Sequence, residues 1–326
     1  MLRVAVVSGG RSPEREVSLE SGRNAAIALK QAGYDVVELD GDINLADDLR
    51  KEKVDVVFIA LHGQYGEDGT LQGMLEFMDM PYTGSGVLAS SVAMNKVKSK
   101  ELFKSAGLPT PQWLTLDADS YRKNGPSFIL PELKKLNFGY PVMIKPANLG
   151  STIGVTKARN EDELIKGMEE AFLYDPEILI EKFVDGMEVT VPVYGADNPR
   201  ALPVIEIIPK GDFYTYETKY QTGMSTHIIP ARIEDGLYNA SQELAVKVYK
   251  TLMCYGFARI DIMISKDGKL YAIEANTIPG MTKMSLFPES ALTEGITFVE
   301  IVDNLVKWAI ERHVKGKNKL LKINSK

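Results

Sequence analysis

Cysteine and histidine are scarce in this chain, and no long apolar run is present. The single cysteine, Cys254, cannot form an internal disulfide, which is typical of proteins from a reducing compartment. The three histidines do not cluster, so we expect no zinc site of the Cys/His type. No segment approaches the ~20 apolar residues of a membrane span, and the apolar run at residues 4–7 is too short for a signal peptide. These features predict a cytoplasmic protein with no membrane partner.

Blocks of positive charge are missing as well. The chain has 38 lysines and arginines against 44 aspartates and glutamates, for a net charge of -6. Because no basic surface is indicated, we expect no nucleic-acid partner. With 44% hydrophobic and 25% charged residues over 326 positions, the composition is typical of a soluble globular protein with two or three domains.

The N-terminal part has the pattern of an open α/β domain. Residues 3–8 and 54–61 are nearly continuous β-branched runs, as in parallel strands that are covered on both faces. Between them, the sequence predicts a helix over about 16–32 and a strand over 34–39. A β-α-β order with short loops predicts a parallel sheet, whose ligands bind at the carboxyl ends of the strands.

Glycine-bearing loops follow the two outer runs, at residues 8–14 and 62–69. Glu14 stands just before the predicted helix, where an acid ordinarily complements the helix dipole. His62 follows a buried strand, and either a hydrogen-bonded loop histidine or a substrate contact fits it. The other two histidines, His227 and His313, show no partner in the sequence and are interpreted as structural.

A single helix is predicted over residues 87–106, because Gly107 and two nearby prolines follow it. Lys96 lies within this helix, where a lysine is ordinarily solvated. The prolines at 109 and 111 indicate a domain boundary region.

A lysine and a loop of small residues suggest phosphate binding in the middle of the chain. Lys145 ends an apolar strand, and Gly150 and Ser151 follow in the loop. Backbone N–H groups of such a loop can surround phosphate oxygens, and the lysine supplies a positive charge. No Gly-Lys-Ser/Thr opens a helix here, so this is not the Walker pattern. A flexible surface hairpin fits the same residues, and both interpretations stay open.

Two further segments suggest a nucleotide cleft and a lid. Residues 181–184 end a strand at a second candidate domain boundary, where a backbone edge could hydrogen-bond adenine. The polar loop at about 210–230 carries several tyrosines and Lys219. It is interpreted as a lid over substrate, with a packed surface loop as the alternative.

An acidic hairpin provides the clearest chemical signal. With a turn at 267–268, Asp261 faces Glu274 and Arg259 faces Asn276, all on one side of the sheet. Facing carboxylates repel each other unless a cation lies between them. Two carboxylates and an amide oxygen suit Mg²⁺ or Mn²⁺. A surface hairpin with solvated acids is the alternative.

Gly280 follows this hairpin directly. A glycine there lets the backbone approach a reacting centre, and its N–H could hold an oxyanion. An ordinary Pro-Gly turn fits the same residues.

Short motifs run in one order along nearly the whole chain. They are Gly9-Gly10, Glu14-Arg15-Glu16-Val17-Ser18, Leu61-His62-Gly63, Gly66-Glu67-Asp68-Gly69, Pro81-Tyr82-Thr83-Gly84-Ser85, Lys96, Lys145-Pro146, Gly150-Ser151, Phe213-Tyr214, Lys219-Tyr220, Arg259-Ile260-Asp261, Glu274-Ala275-Asn276-Thr277 and Pro279-Gly280-Met281-Thr282. Together they resemble the D-alanine–D-alanine ligases of the ATP-grasp superfamily. The phosphate lysine and the Glu-x-Asn hairpin belong to ATP-grasp enzymes generally, whereas the His-Gly-x-x-Gly-Glu-Asp-Gly stretch is much narrower.

The resemblance implies a three-domain α/β fold of the ATP-grasp type, with an open parallel α/β domain at the N-terminus. We expect an N-terminal substrate domain over residues 1–95, a central ATP-grasp subdomain over 96–185 and a C-terminal ATP-grasp and metal-binding domain over 186–326. ATP would be held between the second and third domains. It would phosphorylate one D-alanine, and the amine of a second would attack the acyl phosphate. The product, D-alanyl-D-alanine, is a peptidoglycan precursor. A homodimer is also implied.

The resemblance assigns roles to individual residues. The phosphate contacts are Lys96, Lys145 and Lys219, and the adenosine site is Glu181, Lys182, Phe183, Val184 and Glu188. Two Mg²⁺ or Mn²⁺ ions are held by Asp261, Asn276 and a bridging Glu274. The first D-alanine is bound by Glu14, in a hydrogen-bonded set with Ser151 and Tyr220. The tetrahedral centre is stabilised by Arg259 and the Gly280 N–H, and the remaining substrate contacts are His62, Ser285 and Leu286.

The sequence departs from the family pattern at a few positions. Residues 147–149, Ala-Asn-Leu, replace a more polar and often charged stretch. Asn95 stands where an aspartate is common, and Met284 where a histidine is frequent. These changes put loop dynamics and second-substrate affinity in doubt.

Two rival functions remain in view. One is a ligase that makes D-Ala-D-Ser or D-Ala-D-lactate, against which Tyr220 argues. The other is a nucleotide-binding regulatory protein without chemistry. The intact set of Lys145, Arg259 and the three predicted metal ligands argues against it.

Overall fold

The computed structural model describes residues 1–209, 225–282 and 285–324. Most of the predicted lid at about 210–230, including Lys219 and Tyr220, lies outside the described residues. Met284, where the sequence departs from the family pattern, lies outside them as well.

The N-terminal part is the predicted open α/β unit. Its elements are β1 (Arg3–Ser8), α1 (Arg15–Gln31), β2 (Asp35–Asp40), α2 (Leu45–Lys51) and β3 (Val56–Ile59). The strands are parallel in the order β2-β1-β3. The continuous β-branched run of β1 lies at the centre of this sheet, and its apolar residues are fully buried. The parallel sheet is therefore confirmed.

The predicted single helix over 87–106 is wrong. After α3 (Thr70–Phe77), the chain forms two helices, α4 (Val87–Met94) and α5 (Lys96–Ser105). Asn95 separates them with an extended backbone at φ −85° and ψ 107°, and its side chain accepts a hydrogen bond from Lys98 N at 2.8 Å. Asparagine is a strong helix N-cap, so a new helix begins here. Lys96 consequently stands at a helix N-terminus.

The central part is an antiparallel sheet with helices on one face. Its elements are β4 (Trp113–Asp117), α6 (Ala118–Asn124), α7 (Leu130–Lys135), β5 (Val142–Pro146), β6 (Thr156–Ala158), α8 (Glu161–Ala171) and β7 (Glu177–Lys182). The strand order is β4-β7-β5-β6. Ile144 and Ile180 pack in the core under α8. Because side chains alternate along a strand, Lys145 and Glu181 lie on the opposite face.

The C-terminal part has a second antiparallel sheet. Its elements are β8 (Gly186–Gly195), β9 (Arg200–Ala201), β10 (Ile205–Pro209), β11 (Ser225–Ile228), α9 (Asp235–Thr251), β12 (Gly256–Ser265) and β13 (Leu270–Asn276). Strands run in the order β11-β10-β8-β12-β13. Val191, Ile260 and Ile262 face α9 and form its core. The other face is left for polar residues of these strands.

The pairing predicted for the acidic hairpin is confirmed. In β12 and β13, Asp261 pairs with Glu274, and Arg259 pairs with Asn276. Directly opposed residues of antiparallel strands share a face, so these four side chains lie on the polar side of the sheet.

The turn of the hairpin differs from the prediction. The loop is residues 266–268 and not 267–268 alone. Next to this loop Ile262 pairs with Ala272, which is one residue out of register with the pair Asp261–Glu274. A β-bulge at Ile273 takes up the extra residue. The bulge therefore brings the two carboxylates face to face, because the turn alone would set them in different registers.

The hydrophobic cores join segments that are distant in sequence. After α10 (Leu286–Thr293), the helix α11 (Phe298–Asn324) packs Ile301 and Leu305 into the core of the N-terminal sheet. Phe103 of α5 packs in the core of the C-terminal sheet. The predicted limits at 1–95, 96–185 and 186–326 therefore stay predictions. Among the described residues, no helix combines the length and apolarity that a membrane crossing requires.

Candidate active site

A cavity of about 290 Å³ lies where the three parts of the chain meet. Its walls come from the loops after β1, β3 and β5, the start of α5 and the polar face of the β12–β13 hairpin. The predicted site residues on its wall are Glu14, His62, Lys96, Ser151, Arg259, Glu274, Asn276, Gly280, Ser285 and Leu286. The fold thus brings most of the predicted substrate contacts together.

Glu14 is held in place by Ser151 of the loop after β5 and by Gly63. Its side chain is buried, and Ser151 Oγ donates a hydrogen bond to Glu14 Oε1. Gly63 adopts a left-handed backbone at φ +70°, and a Cβ there would lie 2.6 Å from Glu14 Oε2. Only glycine fits this position, because any side chain would displace the carboxylate.

The loop after β5 is pinned to the start of α5. Lys96 N donates to Ala147 O at 2.8 Å, and Lys96 Nζ donates to Leu149 O. Ser151 and Thr152 both have left-handed backbones, at φ +53° and +62°. Such conformations are costly for residues with side chains and cluster at binding sites. The geometry supports a constrained binding loop and not a free surface hairpin.

His62 is a buried neutral histidine next to the Gly280 loop. Burial lowers its pKa below the ordinary value, which outweighs the opposing effect of Glu14. Its Nε2 lies 3.1 Å from Ser21 Oγ, which also accepts a hydrogen bond from Met281 N at 3.1 Å. The imidazole is therefore linked through Ser21 to the backbone beside Gly280.

The acidic hairpin carries its own counter-charges. Arg259 donates to both oxygens of Asp261, with Nε–Oδ1 at 3.0 Å and Nη2–Oδ2 at 3.1 Å. Thr190 Oγ1 donates to Asp261 Oδ1 at 2.5 Å. Lys96 Nζ lies 3.5 Å from Glu274 Oε2. These contacts offset the repulsion between the facing carboxylates.

The donor set fits a hard divalent cation that shares its shell with a ligand. Asp261, Glu274 and Asn276 offer two carboxylates and an amide oxygen on one face. Within residues 1–209, 225–282 and 285–324, no three acidic, histidine or cysteine side chains are grouped for a metal. A cation here would need further oxygens, such as those of phosphate.

Lys145 is held by a buried carboxylate. Its Nζ donates to Glu181 Oε2 at 2.6 Å. Burial by itself would lower the pKa of Lys145, but the carboxylates of Glu181 and Glu274 outweigh burial and raise it. Burial would likewise raise the pKa of Glu181, but Lys100 and Lys145 outweigh it and lower that pKa. Lys145 therefore presents a stable positive charge on the polar face of the central sheet.

The residues predicted for adenosine lie apart from the first cavity. Lys182, Phe183 and Val184 line a second cavity of about 440 Å³ between the central and C-terminal sheets. Lys157 Nζ lies 4.0 Å from the centre of the Phe183 ring. Glu188 pairs with Met263, on the same sheet face as Asp261. Of the residues predicted for adenosine, the wall of this cavity therefore brings together Lys182, Phe183 and Val184, but not Glu181 or Glu188.

Sequence reasoning missed three polar residues of the site. Lys100 is buried against Glu181, although a helical lysine is ordinarily solvated. Its spacing of four residues from Lys96 was an available signal, because such residues share a helix face. His227 lines the cavity with its Nδ1 3.2 Å from Glu289 Oε2, a partner that the sequence does not show. Its interpretation as structural stays a prediction.

Glu67 is the third of these residues. It is buried on the cavity wall and accepts a hydrogen bond from Gly63 N at 2.6 Å. Burial, together with the nearby Glu14 carboxylate, raises the pKa of Glu67 to about 8. The sequence contains Glu67 within a family motif but offers no local reason for a protonated carboxyl group.

Comparisons with known proteins agree with this arrangement. The family model "D-ala D-ala ligase C-terminus" matches residues 102–307, and "D-ala D-ala ligase N-terminus" matches residues 38–85. The D-alanine--D-alanine ligase of Carboxydothermus hydrogenoformans is 46% identical, over 96% of this chain and 100% of that protein. The ligase of Desulforamulus reducens is also 46% identical, over 95% of this chain and 99% of its own length.

Solved structures show the same likeness. The D-alanine--D-alanine ligase of Bacillus anthracis, complexed with ATP, superposes with a TM-score of 0.83 at 32% identity, covering 97% of this chain and 100% of that one. The ligase of Coxiella burnetii gives a TM-score of 0.84 at 27% identity, covering 99% of this chain and 98% of its own. The chain belongs to the D-alanine–D-alanine ligase family.

Proposed function

We propose that this chain joins two D-alanines to D-alanyl-D-alanine at the expense of ATP, through an acyl phosphate, for peptidoglycan precursor synthesis. The observation that carries the proposal is the convergence of Glu14, Arg259 and Glu274 on one cavity. This reaction requires an acid that binds a substrate ammonium, a cation that stabilises carboxylate charge and a ligand for a metal ion, and Glu14, Arg259 and Glu274 supply them in this order.

The two amino acids take opposite ends of the cavity. The buried carboxylate of Glu14 binds the ammonium of the first D-alanine, and Ser151 keeps that carboxylate oriented. The second D-alanine lies toward Gly280, Ser285 and Leu286. Arg259 and the Gly280 N–H stabilise the charge that develops on the tetrahedral centre.

The nucleotide occupies the space between the central and C-terminal sheets. Lys96 and Lys145 contact its phosphates, because both ammonium groups are directed to the polar side of this cleft. The adenosine part lies toward Phe183 and Glu188. Little covalent chemistry is required of the protein, since phosphoryl transfer depends on positioning and charge neutralisation.

Asp261, Glu274 and Asn276 would hold the divalent cations, with Glu274 as the shared ligand. Bound Mg²⁺ or Mn²⁺ would neutralise phosphate charge during transfer. Arg259 donates hydrogen bonds to both oxygens of Asp261 and so orients this carboxylate before a cation binds.

The test is phosphate release with product analysis. ATP would be offered with D-alanine, D-serine, D-lactate or L-alanine, and the ligated product identified by mass. We expect D-alanyl-D-alanine with D-alanine alone. Glu14→Gln should abolish the phosphate release that depends on D-alanine. Glu16→Gln, an exposed change in the same helix region, is the matched control and should leave it unchanged. Nucleotide binding without any product would favour the regulatory alternative.

Preference for D-lactate or D-serine would favour the other ligase subtypes. The predicted role of Tyr220, which lies outside the described residues, would then lose its support. We also propose a cytoplasmic homodimer, which sedimentation of the purified chain would test.

A further inference from the structure

Lys100 is a buried lysine that has no role in the proposed reaction. It lies one helical turn after Lys96 on α5, and its side chain is 1% exposed. Its Nζ contacts Glu181 Oε1, donates to Thr110 Oγ1 at 2.6 Å and donates to Pro111 O at 3.3 Å. Two of the three N–H donors of the ammonium group therefore make hydrogen bonds, and the group also forms an ion pair with Glu181.

The carboxylate of Glu181 is shared between two lysines. Oε1 contacts Lys100, and Oε2 accepts a hydrogen bond from Lys145 at 2.6 Å. The Glu181 side chain is 3% exposed and that of Lys145 is 12% exposed. Charges interact strongly when water is excluded. One lysine and one carboxylate would form a neutral pair, whereas two protonated lysines and one carboxylate carry a single positive charge. Burial lowers the pKa of Lys100, and the Glu181 carboxylate opposes this effect.

We propose that Lys100 is a positioning residue for nucleotide binding, which satisfies Glu181 and so leaves the charge of Lys145 available to phosphate. This inference rests on the proposed function, in which Lys145 contacts ATP. Lys100 does not touch the nucleotide, because its donors are engaged and its side chain is enclosed. Without Lys100, Glu181 would draw the Lys145 ammonium to itself and neutralise it.

Two substitutions separate this role from simple packing. Lys100→Met keeps the length of the side chain and removes its charge. The double variant Lys100→Met/Glu181→Gln removes both opposing charges, so Lys145 keeps its own. Lys98→Met is the matched control, since Lys98 is exposed on the same helix. Lys145→Ala is the reference for loss of the phosphate contact itself.

The measurement is the Kd of ADP by titration calorimetry at neutral pH and constant Mg²⁺. We expect Lys100→Met to bind ADP about tenfold more weakly, as for one lost charge-assisted contact. The double variant should bind ADP as tightly as Glu181→Gln alone, a comparison in which any adenosine contact of Glu181 cancels. Lys98→Met should match the unmodified chain. A purely structural lysine would not be rescued by Glu181→Gln.

Each outcome is decisive. Unchanged ADP affinity in Lys100→Met, with weakened binding in Lys145→Ala, overturns the positioning role and leaves the proposed function standing. A double variant that binds ADP more weakly than Glu181→Gln alone overturns it as well. Unchanged affinity in Lys145→Ala overturns the phosphate contact and the inference that rests on it. If Lys100→Met does not fold, the comparison of the double variant with Glu181→Gln alone decides, and weaker ADP binding by the double variant overturns the positioning role.

Discussion

Asn95 Nδ2 donates a hydrogen bond to Asn148 Oδ1 at 2.8 Å. These are two of the positions at which the sequence departs from the family pattern, and the fold places them in contact. Asn148 in turn donates from its backbone N and its Nδ2 to Asp175 Oδ2, at 2.6 and 3.0 Å. The break between α4 and α5 is thereby joined to the base of the phosphate loop. The two departures from the family pattern are therefore in direct contact.

Asn95→Asp should weaken ATP binding while Asn148 is retained. An aspartate cannot donate to Asn148 Oδ1, and its charge would lie near Glu177, whose Oε2 is 3.5 Å from Asn95 Nδ2. Adding Asn148→Arg should recover affinity, with a coupling energy of about 0.5–3 kcal/mol for residues in contact. A double-mutant cycle on the Kd of ATP measures this. Strictly additive effects would contradict the pairing.

Glu274→Gln should lower turnover by several orders of magnitude and leave the fold intact. The carboxylate faces Asp261 across the hairpin, where the proposed cations need its charge. Steady-state rates over a range of Mg²⁺ concentrations would measure the effect, with circular dichroism to verify folding. Glu243→Gln, an exposed change on α9, is the control. Near-normal activity at ordinary Mg²⁺ would falsify the metal assignment.

Gly63→Ala should reduce D-alanine binding sharply. The left-handed backbone costs alanine about 1–2 kcal/mol, and the new methyl group would strike Glu14 Oε2. The KM for D-alanine and the thermal midpoint report on these two effects separately. Gly73→Ala on α3 is the control, because a Cβ there meets nothing within 4 Å. Equal KM values for both variants would show that the position of Glu14 does not depend on Gly63.

Glu67→Gln should become more stable, relative to the unmodified chain, as the pH rises from about 5 to 8. The pKa of Glu67 is raised from 4.5 to about 8 by burial, so the folded state holds a proton that the unfolded state has lost. This proton makes the free energy of unfolding of the unmodified chain fall as the pH rises. Glutamine does not titrate, so the variant lacks this contribution. Denaturant titrations across this range measure the difference. A constant difference would mean that Glu67 is ionised in the folded state.

Local patterns in the chain were sufficient to predict most of the elements that surround the site. The β-branched runs predicted the parallel strands, because such residues fit a sheet covered on both faces. The hairpin pairing of Asp261 with Glu274 was also predicted, but partly by compensation. A longer loop and the bulge at Ile273 cancel each other in the register. The bulge breaks the alternation along β13, since Ala272 and Ala275 both lie in the core, and the predicted pairing held only because the two changes offset each other.

Long-range packing settled what these patterns left open. The burial of Lys100 depends on Glu181, about eighty positions away in the chain. The raised pKa of Glu67 likewise depends on Glu14, which another loop supplies. Periodicity along the chain encodes which face of an element is apolar, but not which charged groups meet when elements pack. Burial and charge pairing between distant segments arise only when the chain is folded.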